Sequence, residues 1–291
     1  MKPVEECTIG IAGLGLMGGA VALALRSCGA ASCGKLLAFD KDEETLARAT
    51  SSGVIDKGFT EGREMLSLCD LVFLCLTPSA LMEFMNDSMG DFKAGALITD
   101  IAGTKSKICA AMEKSLRPDL DFIPGHPMAG AEKGGFSNAG LVSFKGKNYI
   151  LTPLKRNSNE NLEYIKNLIR RMGFGCITET TGEEHDKKVA FTSQLCHVIA
   201  SALIDCDRSL FPVDRDITRF GGGSFEDLTR IAMLNVPMWT ELFIENRNDL
   251  LRCIEQFEKS LDTLKTLIRQ EQAEELSERL ELIRDRRTAM G

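Results

Sequence analysis

The 291-residue sequence has no excess of basic residues and no apolar run long enough for a membrane helix. Its formal net charge is -7 and its pI is near 5.2, which disfavours nucleic acid and anionic membrane surfaces as partners, since both require clustered Lys and Arg. A membrane-spanning helix needs about 20 consecutive apolar residues. We therefore expect no nucleic acid, no membrane and a small-molecule substrate.

Paired cysteines are also missing. The ten cysteines are scattered without a CxxC pair or a Cys/His spacing of the zinc type, which predicts reduced, mostly structural thiols and no metal site. The first residues, "MKPVEECTIG", lack the charged and then apolar pattern of a secretory signal, so we expect a cytoplasmic protein. Hydrophobic residues make up 44% of the chain, which suits two globular domains of ordinary size.

Short apolar runs alternate with helical segments in the first half of the chain, as is typical of parallel βαβ units. Buried parallel strands are continuously apolar, and five runs fit that description. They are "CTIGIAG" (7–13), "KLLAFD" (35–40), "LVFLCL" (71–76), "ALITD" (96–100) and "DFIPG" (121–125). We expect "NYILTP" and "GCITET" to extend the same sheet, so that residues 1–180 form an α/β Rossmann domain with a doubly wound parallel sheet.

Helix periodicity dominates from residue 181 onward, and residues 181–291 are therefore predicted to form an all-helical second domain. An apolar stripe steps by four and three residues along a helix expected to begin near Val236. Its members are Leu250, Ile254, Phe257, Leu261, Leu264 and Ile268. An intramolecular core face and a dimer interface are equally compatible with this stripe.

A GxGxxG spacing follows the first predicted strand and opens a helix, as in a dinucleotide-binding site. Gly13 permits the tight turn, Gly15 lets a pyrophosphate approach the backbone, and Gly18 lets the helix pack on the sheet. The helix N-terminus then offers unpaired N–H groups to the phosphates. The predicted cofactor-binding residues are Gly13, Leu14, Gly15, Leu16, Met17, Gly18, Asp40 and Thr77.

Asp40 ends the second predicted strand, where a Rossmann fold places an acid on the adenosine ribose hydroxyls. An acid there repels a 2'-phosphate, so we expect NAD as the cofactor. Lys41 and Arg48 lie close by in the sequence and leave use of NADP open. The alternative role for Asp40 is to cap the next helix.

His126 lies in the Gly/Pro-framed stretch "FIPGHPMAG", directly after the strand "DFIPG". Ligands of open parallel sheets bind at the carboxyl ends of the strands, so His126 can face a nicotinamide. Neutral imidazole is suited to accept the proton of an alcohol while hydride leaves for the cofactor. The alternative is a histidine that only satisfies backbone groups in a turn.

The segment "GHPMAGAEKGGFSNAGLVSFKGKNYILTP" resembles the prephenate dehydrogenase family. The likeness covers nearly the whole chain and includes "GLGLMGG", "TSQLCH", "GGGSFEDLTRIA" and "MW" at 238–239. It implies NAD-dependent oxidative decarboxylation of prephenate to 4-hydroxyphenylpyruvate, a step in tyrosine biosynthesis. It also implies a homodimer formed through the helical domain.

The resemblance also implies roles for individual residues. His126 is the catalytic residue, and Arg230 grips a substrate carboxylate with its planar guanidinium, unless it forms only a surface salt bridge. His197 borders the substrate pocket or is a core histidine, and Ser193 and Gln194 can share its helix face. The further substrate-binding candidates are Thr104, Glu132, Asp227 and Trp239. His185 is expected on the solvated first turn of its helix, without a catalytic role.

Two positions depart from the family pattern. Gly103 stands where many members carry a serine beside the catalytic histidine, and Thr104 is a candidate replacement. Gln194 stands where a histidine is familiar, which leaves the choice between prephenate and arogenate open. Two rival interpretations remain: a beta-hydroxyacid dehydrogenase, which would use a lysine as its acid/base, and a catalytically silent NAD-binding regulator.

Overall fold

A six-stranded parallel sheet organises the first part of the chain in this computed structural model, which describes residues 1–210 and 217–290. The strands are β1 Thr8–Ala12, β2 Lys35–Phe39, β3 Lys57–Phe59, β4 Leu71–Leu74, β5 Leu97–Asp100 and β6 Asp121–Ile123. Their order is β3-β2-β1-β4-β5-β6, which is the doubly wound order of a Rossmann domain. The order reverses between β1 and β4, where such sheets bind their ligands.

All five apolar runs are strands in the structure. Because side chains alternate between the faces of a strand, β4 sends Leu71 and Phe73 into one apolar core and Val72 and Leu74 into the other. The two cores are covered by flanking helices: α1 Leu16–Ser27, α2 Glu43–Ser51, α3 Gly62–Leu66, α4 Pro78–Ser88, α5 Ser106–Ser115 and α6 Asn159–Arg171. The strand β3, with the sequence KGF, was missed because three residues that include a lysine and a glycine carry no apolar pattern.

A second, three-stranded sheet corrects the prediction that "NYILTP" and "GCITET" extend the main one. Its strands are β7 Gly125–Pro127, β8 Asn148–Leu151 and β9 Cys176–Glu179, with β7 antiparallel and β9 parallel to β8. Pro124 separates β6 from β7 and has no N–H to donate to the main sheet. The next N–H, of Gly125, donates instead to Asp100 Oδ1 at 3.1 Å. His126 therefore lies in the middle of β7, on the small sheet.

The described residues of the second part of the chain form helices joined by short turns, and two of these turns, Ile217–Phe220 and Arg230–Ala232, are 3₁₀-helical. This part consists of α7 Gly182–Val189, a π-helical turn Ala190–Gln194, α8 Leu195–Leu210, α9 Gly223–Thr229, α10 Val236–Glu245, α11 Arg247–Arg269 and α12 Ala273–Ala289. The helix expected from Val236 onward is broken at Asn246, so the apolar stripe lies on α11 alone. The domain boundary at residues 180 and 181 stays a prediction; β9 ends at Glu179 and α7 begins at Gly182.

One continuous helical stretch, Gly182–Asp207, is long and apolar enough by length and composition to cross a membrane. Only 28% of its most apolar window is buried. A single helix of this kind is weak evidence for a membrane protein, because core helices of soluble proteins pass the same test. Near its start, Asp186 accepts hydrogen bonds from backbone N–H groups of the Rossmann domain.

Candidate active site

The turn between β1 and α1 presents an open backbone surface. Gly13 has φ +88°, and a Cβ there would lie 2.6 Å from the carbonyl oxygen of Cys75, so the turn requires glycine. A Cβ at Gly18 would collide with the carbonyl of Gly13, whereas at Gly15 it would meet nothing within 4 Å. Gly15 is also the N-cap of α1 and offers no capping side chain, so the first N–H groups of the helix are available to an anion.

Asp40 lies beside this turn and is not a helix cap. Its Oδ2 accepts a hydrogen bond from the backbone N–H of Leu14 at 2.6 Å, which ties the end of β2 to the glycine turn. The cap of α2 is Asp42, whose side chain accepts from Glu44 N–H. Each oxygen of Asp40 has a further lone pair to offer to a ribose hydroxyl. Arg48 donates to Ser137 Oγ at 3.1 Å.

The other predicted cofactor residues fall on the same edge of the sheet. Thr77 is the N-cap of α4 just beyond β4, and its side chain makes no capping bond. Leu16 and Met17 form the partly exposed first turn of α1, while the side chain of Leu14 is buried in the core. The side chain of Leu14 therefore does not face the cofactor edge, and its backbone N–H donates to Asp40 Oδ2.

His126 is hydrogen-bonded to a second histidine from the helical domain. Its Nδ1 lies 2.9 Å from Nε2 of His185, and Nδ1 of His185 lies 2.7 Å from Oδ1 of Asp186. Burial is the main cause that lowers the pKa of His126 well below 6.5, and the nearby His185 and the cation of Lys105 lower it further. The imidazole is thus neutral at pH 7 and able to accept a proton.

The prediction that His185 lies on a solvated turn was wrong. Its side chain is buried, because the start of α7 packs tightly on α5: a Cβ at Gly182 would lie 3.1 Å from Ser106 Cα. The exposed face of α7 carries four charged residues, Glu183, Glu184, Lys187 and Lys188. That leaves His185, Asp186 and Val189 on the opposite face, so helical periodicity in "GEEHDKKV" was the signal that could have identified it.

Asp186 also binds the first domain. It accepts hydrogen bonds from the backbone N–H groups of Lys105 and Ser106, both at 2.8 Å, at the N-terminus of α5. Burial opposes its ionisation, but the hydrogen bonds from His185 and Ser106 outweigh that effect and lower the pKa of the Asp186 carboxyl. The carboxylate is therefore ionised and joins the two domains next to His126.

A buried ion pair supports the same region and was missed from the sequence. Lys105 Nζ lies 2.5 Å from Asp100 Oδ2, and both side chains are fully buried. Asp100 also accepts from the backbone of Ala102 and Gly125, so the carboxylate positions the loop after β5 and the start of β7. Removing one partner of such a pair leaves an uncompensated buried charge.

His197 stacks on Trp239, with ring centroids 3.6 Å apart. Its Nδ1 donates to the carbonyl of Ser193 at 2.9 Å, and burial is the main cause that lowers its pKa below 6.5. The structure thus places His197, Trp239 and Ser193 together, with Ser193 contributing its carbonyl.

Gln194 does not share the face of His197, contrary to the prediction. It is buried, its Oε1 accepts from Asn246 Nδ2 at 2.9 Å, and its amide lies 3.4 Å from the carbonyl of Leu242. The spacing rule for an α-helix fails here because Gln194 ends a π-helical turn, which shifts the register. Gln194 joins α8 to α10 and α11, and its predicted role in binding the substrate stays a prediction.

Arg230 forms an ion pair with Glu132 across the two domains. Both side chains remain partly exposed, and the short helical turn that carries Arg230 packs against α8, the helix of His197. The guanidinium has further N–H groups free of Glu132 for a second anion. Asp227 is exposed on α9, three residues before Arg230.

Gly103 lies where Leu242 of α10 approaches the loop after β5. A Cβ at Gly103 would lie 3.0 Å from Leu242 Cδ2 and 3.3 Å from Cδ1. A serine at this position would therefore require the side chain of Leu242 to shift by a few tenths of an ångström. Thr104, the neighbouring candidate, is buried.

The doubly wound sheet, its glycine turn with Asp40 and a neutral histidine at the seam with a helical domain define a Rossmann-type dehydrogenase. The family descriptions that match the chain are "Prephenate dehydrogenase, nucleotide-binding domain" over residues 21–177 and "Prephenate dehydrogenase, dimerization domain" over residues 181–282. The chain belongs to the prephenate dehydrogenase family.

Individual relatives agree with this assignment. The prephenate dehydrogenase of Bacillus subtilis is 29% identical over 97% of this chain and 76% of its own length. The crystal structure of prephenate dehydrogenase from A. aeolicus, in complex with hydroxyphenyl propionate and NAD+, has a TM-score of 0.87 and 32% identity, covering 98% of each chain. The Synechocystis arogenate dehydrogenase has a TM-score of 0.79 and 25% identity, covering 98% of this chain and 100% of its own.

Proposed function

We propose that this protein catalyses the NAD-dependent oxidative decarboxylation of prephenate to 4-hydroxyphenylpyruvate in tyrosine biosynthesis. The observation that carries the proposal is the neutral imidazole of His126, held at the domain seam by a hydrogen bond to His185. Membership of the family and the likeness to an NAD+-bound relative support it.

The glycine turn fits NAD. Gly15 has open space where a side chain would stand, which suits close approach of a pyrophosphate, and Asp40 can accept from the adenosine ribose hydroxyls. When bound, NAD accepts a hydride from C4 of the cyclohexadienyl ring. The negative charge of Asp40 favours NAD over NADP because it repels a 2'-phosphate.

His126 accepts the proton of the C4 hydroxyl and later returns it. Its neutral ring accepts this proton as hydride leaves, and the C1–carboxylate bond then breaks with its electron pair entering the ring. The resulting aromatic phenolate takes the proton back from His126, so the enzyme releases carbon dioxide without net uptake of a proton. Aromatisation supplies the driving force, and the protein mainly has to position the ring and hold one proton.

The substrate is a dianion and requires cationic or hydrogen-bonding partners. Arg230 can bind a carboxylate with the N–H groups that Glu132 does not use. His197, stacked on Trp239, has Nε2 free for the substrate because Nδ1 is bonded to Ser193. We assign Ser193, Thr104, Glu132, Asp227 and Trp239 to the surroundings of the substrate on the strength of the family resemblance.

A direct assay tests the proposal. Formation of NADH is followed by absorbance with prephenate and with arogenate, each in the presence of NAD or NADP. We expect the highest kcat/KM with prephenate and NAD. A higher kcat/KM with arogenate would make the protein an arogenate dehydrogenase, and NAD binding without turnover of either substrate would favour the silent regulator.

The beta-hydroxyacid dehydrogenase interpretation requires a lysine as acid/base. Lys105, whose charge lies near His126, cannot take that role, because its side chain is fully buried and its Nζ is bonded to Asp100. This observation favours histidine chemistry over lysine chemistry.

We also propose that the protein is a cytoplasmic homodimer joined through the helical domain. Along the α11 stripe Leu250 is buried, Ile254, Phe257 and Leu264 are partly buried, and Leu261 and Ile268 are 53% and 62% exposed. The subunit itself therefore leaves much of the stripe uncovered. Large exposed apolar surfaces mark interfaces. All ten cysteines lie in the described ranges and are free thiols, which suits a reducing compartment. Sedimentation as a monomer at micromolar concentration would contradict the dimer.

A further inference from the structure

We propose that Asp186 and His185 are positioning residues that fix the tautomer of His126, so that its Nε2 is the unprotonated nitrogen offered to the substrate. The proposal rests on the function proposed above, in which His126 accepts the hydroxyl proton. It concerns the chain of contacts from Asp186 Oδ1 through His185 to His126 Nδ1, over 2.7 and 2.9 Å.

The direction of each hydrogen bond follows from the first member of the chain. An ionised carboxylate can only accept, and Asp186 is held ionised by two backbone N–H groups at the N-terminus of α5. His185 Nδ1 must therefore carry a proton and donate it to Asp186.

The second hydrogen bond follows from the first. Since His185 is neutral at pH 7 and protonated on Nδ1, its Nε2 is an acceptor. His126 Nδ1 must then donate, and the neutral His126 ring is left with an unprotonated Nε2. Free histidine in water prefers the opposite tautomer, with the proton on Nε2. The carboxylate of Asp186, acting through His185, therefore selects the tautomer of His126 whose Nε2 can act as a base.

The charged groups around His126 explain why its proton is returned. The cation of Lys105 acts on it from the loop after β5 and is paired with Asp100 at the end of β5, while α7 brings His185, which is bonded to Asp186. The proton accepted at Nε2 makes an imidazolium, which burial and the nearby cation of Lys105 disfavour. Return of the proton from this imidazolium to the phenolate is therefore favourable.

The chain contains only three histidines, so the tautomer can be read directly from the imidazole nitrogens. In a long-range ¹H–¹⁵N spectrum of the uniformly ¹⁵N-labelled protein at about pH 8, above the ordinary histidine pKa, we expect His126 to show a protonated Nδ1 and an unprotonated Nε2. A spectrum of His126 with Nε2 protonated would overturn the proposal. This measurement needs no substrate and is therefore independent of the proposed reaction.

Two variants of His185 test the consequence for turnover. His185→Leu removes the acceptor for His126 Nδ1, and we expect kcat with the best substrate to fall roughly 10- to 1,000-fold, since a misplaced proton on a catalytic imidazole is costly. His185→Gln offers a carbonyl oxygen to His126 Nδ1 and should recover a large part of the loss. NAD affinity should stay unchanged in both variants.

A purely structural role for His185 predicts a different pattern. His185→Leu would then keep the wild-type kcat and pH profile, or both variants would lose stability and activity together while His126 keeps its tautomer in the spectrum. Either result would contradict the proposal. Absence of wild-type turnover with prephenate and arogenate, with the expected tautomer present, would refute the proposed function and leave the hydrogen-bond chain intact.

Discussion

Leu242 on α10 packs tightly against Gly103: a Cβ there would lie 3.0 Å from Leu242 Cδ2, closer than an ordinary van der Waals contact. The resemblance stated from the sequence predicted a serine beside the catalytic histidine here, and the glycine leaves room for Leu242. His126 makes its hydrogen bond to His185 in this chain.

Gly103→Ser should therefore destabilise the protein by overpacking. We expect a loss of about 1–3 kcal/mol in the free energy of unfolding, measured by urea denaturation. The double variant Gly103→Ser/Leu242→Val, which removes a methylene opposite the new side chain, should recover part of it. Equal stability of the single variant and the wild type would show that the loop has room for a serine.

Arg230→Ala should raise KM for prephenate with little change in kcat. The lost charge-assisted hydrogen bonds to a carboxylate are worth about 1.5–3 kcal/mol, or roughly 10- to 100-fold in KM. Arg230→Lys should recover part of the affinity, because it keeps the charge but not the planar fork. Arg252→Ala, which removes a similarly exposed arginine paired with Asp249 on α11, is the matched control. An unchanged KM would remove Arg230 from the substrate site.

Asp40→Asn should reduce the preference for NAD. The variant keeps an oxygen for the N–H of Leu14 but loses the charge that favours the ribose hydroxyls and repels a 2'-phosphate. The ratio of kcat/KM for NAD to that for NADP should fall by about tenfold or more. Asp87→Asn on the exposed face of α4 is the control. A ratio that does not move would contradict the assignment of Asp40 to the cofactor.

Stability should fall as the pH drops below about 6.5. The pKa values of His126, His185 and His197 all lie below 6.5 in the folded protein, chiefly through burial. The unfolded chain therefore binds more protons than the folded one just below pH 6.5, and protonation favours unfolding.

The size of this effect is bounded by the two histidines of the hydrogen-bond chain. His126 and His185 can contribute at most about 2.7 kcal/mol per pH unit, and the half-buried His197 contributes less. Urea unfolding between about pH 5 and 8 measures the slope, and His197→Gln should reduce it only slightly. A free energy of unfolding that stays constant across this range would show that the histidines titrate normally in the fold.

Features that depend on local sequence were predictable. The alternation of apolar runs and helices, the GxGxxG turn and Asp40 at the end of β2 are all present as expected. They need only the neighbouring residues, because a buried parallel strand and a glycine turn each leave a continuous pattern.

Features that depend on packing between distant segments were not predictable. The contact of His126 with His185 spans 59 residues and exists because α7 packs on α5. The second sheet begins just after Pro124, and the apolar pattern of its strands alone cannot distinguish it from the first sheet. The π-helical turn moves Gln194 away from the helix face predicted to be shared with His197 and into the core. In each case a rule based on neighbouring residues gave the wrong structure, because contacts with distant segments determine the position of the residue.

The role of His126 is tested most directly by the kcat of His126→Asn with prephenate and NAD, alongside the dissociation constant for NAD. Asparagine keeps a hydrogen-bonding side chain of similar reach but cannot accept the hydroxyl proton at neutral pH. We predict that kcat falls by about 100- to 10,000-fold while NAD binds as tightly as before. Turnover close to that of the wild type would contradict the account.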